Sequence, residues 1–139
     1  MHITAITEQI RTQGRTDCVD ITETVQHAVR RAKIQSGLAT VFVTGSTAGV
    51  TTIEYEPGLV RDLKEAVRRL FPEDLPYAHH QTGGDENGFS HLRAAFIGPS
   101  LTVPIAEGRL QLGTWQQIVL IDCDVRPRAR SYLIQLLGQ

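Results

Sequence analysis

The sequence has only two cysteines, Cys18 and Cys123. Each lies in an apolar, strand-like run, so the chain has no disulfide framework, zinc knuckle or paired redox motif. Buried reduced thiols are expected. Long hydrophobic runs are also missing: nothing reaches the length of a membrane span. Met1–Thr7 shows no basic stretch followed by an apolar block, so the expectation is a cytoplasmic protein without membrane association. Charge of one sign is absent too. The 14 Lys and Arg against 15 Asp and Glu give a formal charge of −1, which leaves no broad field for nucleic acid. One local basic cluster, Arg126-Pro-Arg128-Ala-Arg130, remains able to hold a phosphate. Repeats, low-complexity tracts and linkers are missing, and 139 residues suffice for one domain, 1–139, with its own core.

The patterning that is present alternates between strand and helix periods. Ile3–Thr7 and Thr16–Asp20 read as short strands. Ile21, Val25, Ala28, Val29 and Ala32 recur at helical spacing after a Thr22 cap, with Gly37 as the stop. His27 lies off that stripe and reads as a surface residue. The β-branched run Leu38–Thr44 predicts a central strand, the small turn Gly45–Gly49 follows, and Val50–Tyr55 returns. Pro57 opens a second helix whose buried stripe is Leu59, Leu63, Val67 and Leu70, and Pro72 ends it. Ser90–Ile97 reads as a short helix capped by Ser90, with a strand as the runner-up. From Ser100 onward the pattern is β: Leu101–Ala106 with Pro104 at an edge or bulge, Arg109–Leu112, Gln116–Asp122 and Ser131–Leu137. The expected fold class is α+β: a sandwich of mixed, largely antiparallel sheet with two main helices packed against one face.

Between these elements, His79-His80-Gln-Thr-Gly-Gly-Asp85-Glu86-Asn87-Gly-Phe-Ser90-His91 concentrates three of the five histidines with two carboxylates and three glycines. Imidazole and carboxylate groups on a long loop suit metal ligation or acid–base work. His79 and His80 are adjacent, so in extended chain they point apart, and only one of them is expected to join His91. Surface histidines in a polar loop are the competing reading.

Other candidates are dispersed. Glu54 stands in an otherwise uncharged strand and is a candidate general base or metal partner; a solvent-facing strand residue is the alternative. Asp62, near the start of the second helix, complements its dipole. Gly98-Pro99-Ser100 offers backbone donors and a hydroxyl for an oxyanion. Gln116 and Gln117 lie on opposite faces of a strand, so one amide can reach a ligand. Trp115 suits core or interface equally. Arg128 and Arg130 share one face of extended chain and present planar forks to a phosphate.

In order, these pieces resemble the YjbQ-like family of small proteins of uncertain physiological role. The resemblance rests on Thr47-Ala48, Glu54, Asp62, Tyr77, His79, Asn87, Ser90-His91-Leu92, Gly98-Pro99-Ser100, Pro104, Gly108-Arg-Leu-Gln-Leu-Gly-Thr-Trp-Gln116 and Arg128-Ala-Arg130. It implies an α+β sandwich assembling as a homotrimer, with pockets at subunit boundaries. It also implies a weak thiamine-phosphate synthase activity, joining a phosphorylated pyrimidine to a thiazole phosphate with loss of pyrophosphate. On that analogy His79 and His91 are metal ligands, for zinc or magnesium, or acid–base groups. Glu54 and Asn87 assist His91 in catalysis, and Ser100, Gln116, Arg128 and Arg130 hold the phosphorylated substrate. A non-catalytic module binding a phosphometabolite or metal, and a metal-assisted phosphoester hydrolase, are the alternatives. The chain departs from the pattern at Gly45, where many members carry a histidine. His80 and Asp85 are the candidates to stand in for it.

Overall fold

A computed structural model describes all residues, 1–139. Eight strands form two antiparallel sheets. The larger has five strands: β1 (His2–Thr12), β8 (Arg128–Gly138), β3 (Ser36–Val43), β5 (Ser100–Ala106) and β6 (Arg109–Leu110), in that order. The smaller runs β2 (Asp17–Asp20), β7 (Gln117–Asp122), β4 (Ala48–Ile53). The helices are α1 (Thr22–Ala32), α2 (Pro57–Leu70), the single turn α3 (His79–Thr82) and α4 (Gly88–Ile97). The α+β sandwich class expected from the patterning is the one observed, but the two main helices do not share a face: α1 and α2 pack on opposite sides of β7.

The core follows the two-residue strand period. Ala39, Val41 and Val43 of β3, Tyr132, Ile134 and Leu136 of β8, and Ile118 and Leu120 of β7 all point inward. There they meet Val25, Ala28 and Val29 of α1, which enters the space between the sheets. The opposite face of β7 is buried as well. Val119, Ile121 and Cys123 join Cys18 beneath Val60 and Leu63 of α2 and Ile97 of α4. The small sheet is therefore covered on both sides, which explains why β7 reads as an unbroken apolar run. The larger sheet carries no helix on its outer face.

Several local expectations are corrected. Gly37 does not stop α1; Lys33 does, in the left-handed conformation. Gly37 lies inside β3, where a Cβ would come 2.0 Å from the Leu137 carbonyl oxygen, so its role is close backbone approach. Thr22 does not cap α1 with its side chain. Its hydroxyl donates to Asp20 at 2.6 Å and accepts from the Ile118 amide at 2.8 Å, tying the helix start to β7. Ser90 is likewise not a cap: α4 begins earlier, at Gly88, and buries Ser90 within its first turn. Pro104 pairs with Leu38, just beyond the two-residue stretch where β6 covers β5, so its missing N–H costs no ladder bond there.

Candidate functional site

The β7–β8 connection crosses from the small sheet to the large one and gathers charge at one end of the sandwich. Asp122 closes β7, Asp124 follows in the turn, and Arg128 and Arg130 open β8. Arg130 is 7% exposed and Asp122 fully buried. Arg130 donates to the Asp122 carboxylate through Nε at 2.7 Å and Nη2 at 2.8 Å. Asp122 also accepts from the Thr12 hydroxyl and, at 3.0 Å, from the Asp124 amide. Asp124 accepts from Arg128 Nε, from Thr47 Oγ1 at 3.3 Å, from Asn87 Nδ2 at 3.4 Å and from the Val125 amide at 2.8 Å. It thereby links the β3–β4 bend, the start of α4 and the start of β8.

Burial pushes both carboxyls toward protonation. For Asp122 the bonds from Arg130, Thr12 and the Asp124 amide overcome that effect. For Asp124 those from the Val125 amide, Asn87 and Arg128 do so. Both end below the ordinary carboxylate range and are held as anions. Hydrogen bonding to Asp122 raises Arg130 in turn, against the opposing effect of burial.

Only one of the adjacent histidines meets His91, as expected, but they part from the helical turn α3 and not from extended chain. The His79 and His91 rings lie 4.6 Å apart, tilted by 59°. His80 turns away, accepting the Gly88 amide on Nε2 at 3.1 Å and meeting Tyr77 edge-on at 5.5 Å. Tyr77 anchors this stretch by donating to the Pro72 carbonyl at 2.6 Å. His91, Gly45, Ser46, Ala48 and Pro99 line an open cavity of about 330 Å³. Asp85 lies elsewhere, with Asn87, Asp124 and Arg128 around a recess of about 120 Å³.

The family resemblance implies a divalent ion here, and the donor set can be tested for it. Two imidazole rings with centroids 4.6 Å apart offer at most two nitrogen donors, but a catalytic zinc centre takes three protein ligands. Nowhere do three His, Cys, Asp or Glu side chains gather. Within one chain the pair falls short of a metal centre.

The remaining candidates are spread out. Glu54 is exposed, just past the far end of β4 from Ala48, roughly 20 Å away at about 3.3 Å per residue. Ser100 and Gln116 share a different groove of about 280 Å³ between β4 and β5. The Gln116 amide there is occupied, accepting from the Gly113 amide at 3.0 Å and donating to Thr52 at 3.2 Å. Asn87 holds Asp124 with its nitrogen, and its buried Oδ1 has no partner.

Asp122, Asp124, Thr12 and Arg93 were not singled out from the sequence. Two carboxylates and two arginines, each spaced by two across Pro127, were the available signal for the first pair. Arg93 gave none. It is buried, donates to the Phe71 carbonyl at 2.8 and 3.1 Å, and lies 5.0 Å above the Phe89 ring, stapling α4 to the end of α2.

Known proteins resemble the chain over nearly its full length. Residues 6–139 match the family described as UPF0047 protein YjbQ-like. A UPF0047 protein of Mycobacterium tuberculosis is 44% identical over 118 residues, covering 85% of this chain and 89% of its own. The UPF0047 protein YugU of Bacillus subtilis is 35% identical over 136 residues, covering 95% and 98%. A crystal structure of a YbjQ-like protein of unknown function from Sulfolobus solfataricus superposes with a TM-score of 0.89 at 30% identity, covering 99% of this chain and all of that one. The family match over residues 6–139 and the relatives matched over nearly their full length show that the chain belongs to the UPF0047 YjbQ-like family.

Proposed function

We propose that this protein is an enzyme acting on a phosphorylated small molecule at the His91 cavity. The reading is carried by one observation. His91, with His79 against it, and the Gly45–Ser46 bend border the same opening, and the buried Arg130–Asp122 pair stands behind that bend. An imidazole pair can give a proton to a departing oxygen and take one back, while a fixed cation nearby stabilises the charge that develops. The most concrete version is thiamine-phosphate synthase-like transfer. There the C–O bond of the phosphorylated pyrimidine breaks, the thiazole nitrogen forms the new bond, and pyrophosphate departs. A zinc or magnesium ion on His79 and His91, its other ligands drawn from outside the chain, belongs to the same reading and would offset the pyrophosphate charge.

Assembly as a homotrimer is part of the proposal, and the bare face of the larger sheet supports it. Three positions on each of β1, β8, β3 and β5 form that face without one charged residue, and Ile3, Leu38, Phe42, Leu133, Leu137 and Pro104 dominate it. The test of function is turnover by purified protein supplied with divalent ions and both phosphorylated partners. Product formation lost in His91→Ala and His79→Ala is expected. No turnover under these conditions removes the synthase version.

The position of Glu54 favours a second reading, a binding module for a phosphometabolite. The candidate general base is remote from His91 within the chain, so the cavity has no free carboxylate of its own. A binder would take up ligand without any turnover.

A further inference from the structure

Gly45, where the family pattern often places histidine, has a φ of +132°, a conformation that suits glycine and few other residues. A Cβ at this position would come 3.0 Å from Arg130 Nη1. The other nitrogens of Arg130 are spent on Asp122 and Thr47, whereas Nη1 makes no hydrogen bond. It is not among the sealed, unpartnered atoms, so solvent reaches it. The peptide N–H groups of Gly45, Ser46 and Thr47 likewise make no hydrogen bond. One bend at the mouth of the His91 cavity thus holds a fixed guanidinium edge, three successive unspent amides and the Ser46 hydroxyl. The carboxylates behind it already accept from several donors each. Unspent donors beside a fixed positive charge favour an anion, and successive backbone amides are a recurring component of anion-binding concavities. A divalent cation would meet the guanidinium charge.

We propose that the Gly45–Thr47 bend and Arg130 Nη1 form an oxyanion site that holds the phosphoryl group of the ligand directly, without an intervening metal. This deepens the reading of a phosphorylated substrate and rests on it, but it is tested separately from turnover.

The experiment is calorimetric titration of the intact, metal-free protein with inorganic phosphate. Saturable binding is expected, with Kd on the order of 1 mM for so small a ligand. Ser46→Asp changes an exposed residue of the bend and adds a negative charge beside the site; it should weaken binding roughly tenfold or more. Arg130→Lys keeps the charge facing Asp122 but loses the planar fork, and should weaken binding similarly while circular dichroism confirms folding. Absence of saturable binding, binding that needs added divalent ion, or equal binding by wild type and Ser46→Asp would each overturn the site. Phosphate binding with the expected variant response but no turnover leaves this site standing and removes the enzyme reading. Turnover without phosphate binding does the reverse.

Discussion

Arg130 and Asp122 form a buried two-point ion pair, at 2.7 and 2.8 Å, at the end of the sandwich. Removing one partner leaves the other charge buried and uncompensated, which costs more than the pair itself contributes. Asp122→Asn should therefore destabilise the fold by about 3 kcal/mol, measured as a shifted urea midpoint. The same pair predicts acid sensitivity. Asp122 and Asp124 sit below their ordinary values when folded, so the unfolded chain takes up protons first as pH falls. Their contribution is complete above about pH 5 and is lost progressively below it. Urea midpoints between pH 3 and 7, taken as rough bounds of the titration, should show that loss in wild type and a flatter acid limb in Asp122→Asn. Equal limbs would refute the assignment.

The two thiols should be inert. Burial raises Cys18 to about 11 and Cys123 to about 12, so almost no thiolate exists near neutrality, and thiolate is the reactive form. A thiol reagent at neutral pH should label neither residue in native protein and both in urea. Rapid native labelling would show that the layer between β7 and α2 opens.

Gly37 carries the clearest backbone prediction. Gly37→Ala sets a Cβ 2.0 Å from a carbonyl oxygen held in the ladder on its neighbour β8, and a backbone atom cannot rotate aside. A loss of about 3 kcal/mol, the upper range for overpacking, is expected in urea denaturation. The same residue shows what the sequence does and does not reveal. Glycine after an amphipathic stripe reads as a helix stop, and glycine beside a neighbouring backbone looks identical in one dimension. The strands themselves were legible because burial on one face imposes a two-residue period. Their ends moved by one to several residues, since they depend on pairing partners far away in the chain.

The site was legible unevenly for the same reason. His79 and His91 sit on α3 and α4, which follow one another closely in sequence, so local composition pointed at them. Asp122 and Asp124 matter through Thr12, Thr47 and Asn87, contacts that only the closed sandwich creates. Glu54 drew attention as a lone charge in a strand, yet its place past the far end of β4 is set by register with β7. Glu54→Gln should accordingly change stability by less than about 0.5 kcal/mol and leave phosphate affinity at the Gly45 bend unchanged. A clear loss of phosphate affinity would mean that Glu54 reaches the cavity, as a residue from a neighbouring subunit would.

That possibility makes assembly the remaining test. The outer face of the larger sheet exposes Leu38 and Phe42 at 42% and 41% and Ile3 at 70%, in register with Leu133 and Leu137 on β8. Isolated apolar residues are common on protein surfaces, but an uncharged patch across four strands marks an interaction site. At about 4.8 Å between strands and 3.4 Å per residue, the face covers about 400 Å², half of the roughly 800 Å² that each partner of a stable complex buries, and so can form the centre of such an interface. A charge placed at its centre has no counter-ion to meet. Phe42→Asp and Leu38→Asp should therefore shift the mass measured by light scattering from the assembly to the single chain without lowering the urea midpoint of the isolated sandwich. Wild type running as a clean monomer would remove the trimer, and an intact assembly in both variants would move the interface elsewhere.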